Sequence, residues 1–136
     1  MPIITLTVSG TPDSDRSKAL AETVTTLTAE RLRKDPAVTA VAIHHVAPEH
    51  WFAGGRSLAD QGVASFWLDI KVVDGTNTKT ELADYLAAVF EAMGRLLGPL
   101  HPESYILVHE VPAAAYGFGG KTQEHRFIAG RLDRAA

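Results

Sequence analysis

The 136-residue sequence has no cysteine, no excess of basic residues and no long apolar run. Without cysteine, disulfides, thiolate metal sites and a cysteine nucleophile are excluded. The net charge of −3 gives no general attraction to nucleic acid or anionic membranes. No run approaches the ~18 apolar residues of a membrane span, and the N-terminus lacks the basic start and apolar run of a signal peptide. We therefore expect a soluble cytoplasmic protein that binds neither nucleic acid nor membrane.

The sequence contains an internal repeat. Two aromatic segments that end in a glycine pair, WFAGG at 51–55 and YGFGG at 116–120, lie 65 positions apart. The same offset aligns further identical residues, among them Val8 with Val73, Gly10 with Gly75 and His44 with His109. Because the matches are spread over the whole unit, we interpret the chain, 1–136, as one domain built from two copies. The copies span about residues 2–56 and 67–121.

Each copy has the pattern strand, helix, strand. Apolar and β-branched runs predict strands, and apolar residues at helical spacing predict helices. The predicted strands are residues 3–8, 38–46, 65–73 and 105–111, and the predicted helices are residues 15–34 and 80–97. Since a strand–helix–strand crossover makes its strands parallel, the predicted fold is α/β, with two fused β-α-β units forming a four-stranded sheet and two helices on one face. The other face is bare, so we expect an oligomer.

Pro2, which follows the initiator methionine, decides the functional interpretation. A small residue at position 2 favours removal of Met1, which would leave a proline with a free secondary amine. An α-amino group titrates at about 7.7–8.0, and an apolar pocket lowers its pKa further by disfavouring the charged form. Such an amine can take a proton from a carbon beside a carbonyl and return it elsewhere. A proline is also simply tolerated at the first residue of a strand.

The order of these features resembles the 4-oxalocrotonate tautomerase family. VHEV at 108–111 followed by YGFGG is similar to the family's last strand and terminal hairpin, and the first copy supplies Pro2 and a degenerate version of the motif. The resemblance covers about residues 2–121. It implies a cofactor-free enzyme in which Pro2 is the acid/base for a small carbonyl or enol substrate. Small members have one copy per chain and form hexamers, whereas long two-copy members form trimers, so it also implies a homotrimer.

The resemblance assigns pocket-lining roles to Trp51 and Tyr116, the aromatic residues before the glycine pairs. We expect Pro2 in a pocket lined by aromatics from both copies. The family's two carboxylate-binding arginines are missing from their usual positions. The matching residues are Thr11 and Thr76 in the turn after the first strand, and Ala40 and Tyr105 at the start of the second. Neither threonine nor tyrosine replaces a bidentate arginine without loss, so the usual dicarboxylic substrates are in doubt.

Five further residues are candidates for substrate contact or catalysis. Arg56 or Lys121, directly after the glycine pairs, could supply the missing cation, and each is also explained as a solvated loop charge. His44 could polarise a carbonyl or orient water, or stand at an oligomer contact. Tyr105 could donate a hydrogen bond to a substrate oxygen, and Glu110 could activate water.

Three functions fit these residues. The first is keto–enol tautomerisation by Pro2. The second is hydration, dehalogenation or decarboxylation of a small unsaturated or oxo acid, as in the long members cis-3-chloroacrylic acid dehalogenase and malonate semialdehyde decarboxylase, with Glu110 or a histidine activating water. The third is a non-catalytic oligomeric binding protein on the same scaffold.

Metal and nucleotide sites are not expected. Glu49, His50 and the His44–His45 pair match no usual zinc spacing. AYGFGGKT at 115–122 nearly matches a phosphate-binding loop but has alanine where that loop has its first glycine, and only about fourteen residues follow it.

Overall fold

The computed structural model describes residues 2–135. The first unit consists of β1 (Ile3–Ser9), α1 (Ser14–Leu32) and β2 (Ala40–Val46). A hairpin of β3 (Phe52–Ala53) and β4 (Arg56–Ser57) and the short helix α2 (Leu58–Gln61) lead to the second unit. That unit consists of β5 (Phe66–Val73), α3 (Lys79–Leu97) and β6 (Tyr105–Val111). It is followed by a second hairpin, β7 (Gly117–Phe118) and β8 (Lys121–Thr122), and by helix α4 (Gln123–Ala135).

The four long strands form one mixed sheet in the order β2-β1-β5-β6. Strands are parallel within each unit, β1 with β2 and β5 with β6, as a crossover helix requires. The units meet at the antiparallel pair β1 and β5, in which Ile3 lies opposite Lys71 and Val8 opposite Phe66. The predicted α/β fold of two fused β-α-β units, with two helices on one face of a four-stranded sheet, is confirmed.

The core lies between this sheet and helices α1 and α3. Alternate residues of the two central strands are fully buried, which is the period expected of a sheet with one covered face. They pack with buried residues of the two helices. This core comprises Ile4, Leu6, Val8, Phe66, Leu68, Ile70 and Val72 of the strands, and Leu20, Val24, Leu32, Tyr85, Val89 and Met93 of the helices.

Within the described residues the structure adds two helices that the sequence analysis did not anticipate, the four-residue α2 and the longer α4. α4 begins directly after β8, where the Thr122 hydroxyl accepts a hydrogen bond from the His125 backbone N–H at 2.9 Å. β2 begins at Ala40, two residues later than predicted, because Pro36–Val38 forms a single 3-10 turn. No helix within residues 2–135 combines the length and the apolar content needed to cross a membrane.

One polar contact joins the two long helices inside the core. The Tyr85 hydroxyl lies 2.9 Å from Thr28 Oγ1, and Thr28 Oγ1 donates to the Val24 carbonyl at 2.6 Å. Because the threonine proton is used on that carbonyl, Tyr85 is the donor of the pair. Burial raises the pKa of Tyr85 to about 12, which keeps this donor protonated.

Variants of this contact should differ in cost. Thr28→Val leaves the Tyr85 hydroxyl buried without its acceptor, and we expect it to lower the free energy of unfolding by about 1–3 kcal/mol. Tyr85→Phe removes the donor while Thr28 keeps its bond to Val24, so about 0.5–1.5 kcal/mol is expected. Urea unfolding of both variants measures the difference, and equal costs would contradict the assignment of Tyr85 as donor.

Candidate functional site

Pro2 lies at one end of the sheet and lines a cavity of about 520 Å³. Pro2 is buried, and its carbonyl accepts a hydrogen bond from the Ala40 N–H at 3.2 Å, which anchors the start of β1 to β2. Most of the other lining residues come from residues 37–40, which lead into β2, and from the second hairpin. Tyr116, Gly117 and Phe118 form that hairpin wall.

The lining of the Pro2 cavity, within residues 2–135, includes no charged side chain. Its polar side chains are the Thr39 hydroxyl, which donates to the Asp35 carbonyl at 2.8 Å, and the Tyr116 hydroxyl. Burial raises the pKa of Tyr116, so this hydroxyl keeps its proton near neutral pH. An amine placed here is poorly solvated as a cation, which lowers its pKa. The predicted removal of Met1 lies outside the described residues.

The second hairpin owes its shape to its glycines. Gly119 and Gly120 have φ angles of 61° and 78°, and Gly54 and Gly55 of the first hairpin have nearly the same values, 63° and 77°. Two consecutive positive φ angles define the two-residue turn that best matches strand twist, and this turn favours glycine. The glycine pairs of the repeat are therefore turn residues, and they aim the preceding aromatic segments into the cavities.

Helix α4 holds the second hairpin in place through Arg126. The guanidinium carbon lies 3.9 Å from the centre of the Phe118 ring, and the guanidinium donates to the Phe118 carbonyl at 2.9 Å. Sequence reasoning missed both residues as parts of the site. Phe118 lies within the quoted YGFGG motif. Arg126 follows the predicted copies, and the repeat offset pairs it with Gln61, whose side chain donates in the same way to the carbonyl of Ala53 at 3.0 Å. Apolar residues at helical spacing, Phe127, Ile128 and Leu132, were the available signal for α4.

A second cavity, of about 590 Å³, lies at the pseudo-equivalent position of the other copy. The repeat offset places Trp67 where the first copy has Pro2, and the first hairpin supplies Trp51 and Phe52. Tyr105 and Glu103 also line this cavity, and the Tyr105 hydroxyl donates to the Glu103 carboxylate. Within one chain, the predicted aromatics thus divide between two cavities rather than meeting around Pro2.

Comparison with known proteins supports the predicted resemblance. Residues 2–61, from Pro2 to the end of α2, match the family model described as "Tautomerase enzyme". This match covers the first copy, and structures of fused 4-OT share the fold of both copies. The similarity to a fused, two-copy 4-oxalocrotonate tautomerase that the sequence analysis predicted is confirmed.

Solved structures share the fold along nearly the whole chain. Native fused 4-OT is 18% identical, with a TM-score of 0.74 over 90% of this chain and 97% of its own. A fused 4-OT described as an asymmetric trimer is 14% identical, with a TM-score of 0.79 over 92% and 98%. A macrophage migration inhibitory factor-like protein from Entamoeba histolytica is 18% identical, with a TM-score of 0.74 over 89% and 97%. No curated protein sequence matches the chain.

The sheet register places the two neighbouring histidines of β2 on opposite faces. His45 lies on the helix-covered face, with Nε2 3.5 Å from the Ser17 hydroxyl. His44 lies opposite Thr7 on the bare face and is exposed. Thr7 is five residues along β1 from Pro2, so His44 is roughly 17 Å along the strand direction from the Pro2 end of the sheet. One chain therefore does not bring His44 to the Pro2 cavity.

The remaining predicted site residues lie outside the Pro2 cavity. Glu110 pairs with Val72, and Pro2 precedes the Ile3–Lys71 pair, so Glu110 is two strands from Pro2, about 10 Å away. Its side chain is exposed. Arg56 is exposed in β4 and Lys121 in β8, and neither lines the two cavities as they are formed by residues 2–135. Their proposed catalytic and cationic roles stay predictions.

The bare face of the sheet carries a charge cluster that sequence reasoning missed. Asp69 accepts hydrogen bonds from Lys71, at 2.5 Å, and from His109 Nε2, at 2.7 Å. Desolvation acts to raise the pKa of Asp69, but the hydrogen bonds from Lys71 and His109 outweigh it and lower the pKa. The carboxylate is therefore ionised at neutral pH, and strand alternation places this cluster on the face that has no helix.

Proposed function

We propose that the chain is a cofactor-independent keto–enol tautomerase in which the free amine of Pro2 is the acid/base. The observation that carries this proposal is the position of Pro2, buried at the wall of a cavity whose lining, among the residues that the structure describes, has no charged side chain. The match of residues 2–61 to the tautomerase family model supports an isomerase activity. Glu110 lies outside this cavity, so the geometry of one chain does not favour water activation in a hydratase or dehalogenase.

The apolar cavity suits both halves of the proton transfer. Burial without a nearby carboxylate lowers the pKa of the Pro2 amine below its ordinary value of about 7.7–8.0. A substantial fraction is then free base near neutral pH and can take a proton from the substrate. The protonated amine, disfavoured in the same surroundings, returns the proton to the other end of the enol system. The Tyr116 hydroxyl donates to the substrate oxygen as negative charge develops on it.

The lining also defines the substrate class. The cavity offers Phe118 and Tyr116 to an apolar or aromatic group, and neither family arginine is present to bind a second carboxylate. We propose a small 2-oxo acid with one carboxylate, which remains in water while the apolar end enters the cavity. The structural neighbour Pt0534 is inactivated by 2-oxo-3-pentynoate, a compound of this class.

The proposed assembly is a homotrimer built on the bare sheet face. Ile3 and Leu107 lie on this face and are 41% and 46% exposed, which is unusual for large apolar strand residues. Fused 4-OT neighbours of the same fold form trimers. A partner subunit on this face buries those side chains.

The test compares two forms of the chain that differ only before Pro2. One form has lost Met1, as shown by intact mass, and the other carries a retained N-terminal extension that converts the proline amine into an amide. We expect the first to ketonise the enol of phenylpyruvate and the second to fall to the buffer rate, because an amide nitrogen has no basic lone pair. Matching circular dichroism and size-exclusion profiles serve as the control. Equal turnover by both forms would overturn the proposal.

A further inference from the structure

The second cavity has no role in Pro2 chemistry. Trp67 occupies the position of the proline and lies inside the chain, so no free amine exists there. Tyr105 stands where the family has an arginine, so the usual cation for a substrate carboxylate is absent as well. The cavity nevertheless has a volume of about 590 Å³, within the range of small-molecule sites.

Four aromatic side chains form its walls. Trp67 and Tyr105 are register partners on β5 and β6, about 4.8 Å apart at the backbone, and Trp51 and Phe52 face them from the first hairpin. Trp67 is 50% exposed, and Phe52 and Tyr105 are each 60% exposed. Within residues 2–135, none of these four rings stacks against another aromatic ring or lies beneath an arginine side chain. In the single chain the ring faces of this cavity are therefore open to a ligand. Trp67 and Tyr105 lie on the bare sheet face, so the site requires that the proposed trimer leaves this end of the face accessible.

The cavity also contains a carboxylate that lacks a cationic partner. Glu103 accepts the Tyr105 hydroxyl proton, and no lysine, arginine or histidine of the described chain lies within ion-pair distance of it. The hydrogen bond that Tyr105 donates to Glu103, together with the negative charge of that carboxylate, raises the pKa of Tyr105. The hydroxyl thus stays protonated, and the negative charge remains available at the rim of the aromatic walls.

We propose that this second cavity binds a small organic cation of the quaternary ammonium class. Aromatic faces attract a cation through the ring quadrupole, and tryptophan is the strongest of them. A quaternary ammonium group has no N–H donors to satisfy, so it suits rings better than a primary amine does. Glu103 adds the opposite charge. The two copies then have opposite preferences, an enolisable oxo acid at Pro2 and a cation at Trp67.

Intrinsic fluorescence reports this site alone, because the two tryptophans of the chain, Trp51 and Trp67, both line it. We expect choline to change the fluorescence and to bind at least ten-fold more tightly than 3,3-dimethyl-1-butanol, its neutral isostere of the same shape. Equal affinity for the two compounds would reduce the cavity to an apolar groove and overturn the proposal. No response to choline, with both tryptophans shielded from acrylamide, would show that a subunit contact fills the cavity and would also overturn it.

Variants separate the contributions of charge and rings. Glu103→Gln should weaken choline binding three-fold or more without changing binding of the isostere. Trp67→Leu should weaken it at least ten-fold by calorimetry, and Trp67→Phe should restore part of the loss. Pro2→Ala should leave choline binding unchanged, so failure of the cation site and failure of the proposed tautomerase are distinguishable. Unchanged choline affinity in both Glu103→Gln and Trp67→Leu would overturn the assignment.

Discussion

Pro2→Ala should lower kcat/KM for ketonisation of phenylpyruvate enol by about 10²–10⁴-fold, the usual contribution of a positioned acid/base. The variant still has an N-terminal amine after removal of Met1, but it is a primary amine without the ring that fixes its direction. The nitrogen is also better hydrated, so its pKa rises toward the ordinary value and less free base is present. Stopped-flow or rapid-mixing assays with intact-mass confirmation of the N-terminus measure the loss.

A second proline provides the matched control. Pro12 is exposed in the turn before α1 and lies outside the Pro2 cavity, so Pro12→Ala should keep the wild-type rate. Both variants should elute with the wild type on size exclusion, since neither residue lies on the bare sheet face. Full activity of a Pro2→Ala protein with a verified N-terminus would remove the amine from the mechanism.

The fold could be predicted from the sequence because both copies of the repeat have the same strand–helix–strand pattern. Strand β6 occupies 105–111 as predicted, and the ends of α1 and α3 deviate by one or two residues. A residue alternation predicts that His44 and His45 face opposite sides, but only the pairing of β2 with β1 shows which of them is covered by α1. Which residue of an alternating pair lies on the helix-covered face therefore depends on the tertiary structure.

The residues that line each cavity could be predicted less well, because they too depend on the tertiary structure. The repeat identifies Trp51 and Tyr116 as equivalent residues, yet it does not tell which hairpin reaches which end of the sheet. In the fold, the hairpin of the second copy meets Pro2 of the first, and Trp51 meets Trp67 of the second. Comparing the copies pairs Arg126 with Gln61 of the shorter helix α2, and a glutamine does not predict the contact of an arginine with the Phe118 ring.

Gly117→Ala should lower kcat/KM at the Pro2 cavity at least ten-fold, chiefly through KM, and should change the melting temperature little. A Cβ at this position would lie 1.9 Å from the Lys121 carbonyl oxygen and 2.7 Å from the Thr122 Cα. Both are backbone atoms of the paired strand, so the hairpin must separate to make room. Because Tyr116 and Phe118 flank Gly117, their separation from β8 displaces the aromatic wall, while the core between the sheet and helices α1 and α3 is unaffected.

Gly130 in α4 offers the matched substitution, since a Cβ there meets only the Arg134 guanidinium, at an ordinary 3.6 Å. Gly130→Ala should keep full activity and slightly stabilise the helix, as alanine is the better helix former by about 0.8–1.0 kcal/mol. A Gly117→Ala protein with wild-type KM would show that the hairpin does not form the substrate wall. Comparing the two variants therefore tests whether substrate binding depends on the position of the aromatic segment before the glycine pair. The repeat alone cannot establish this.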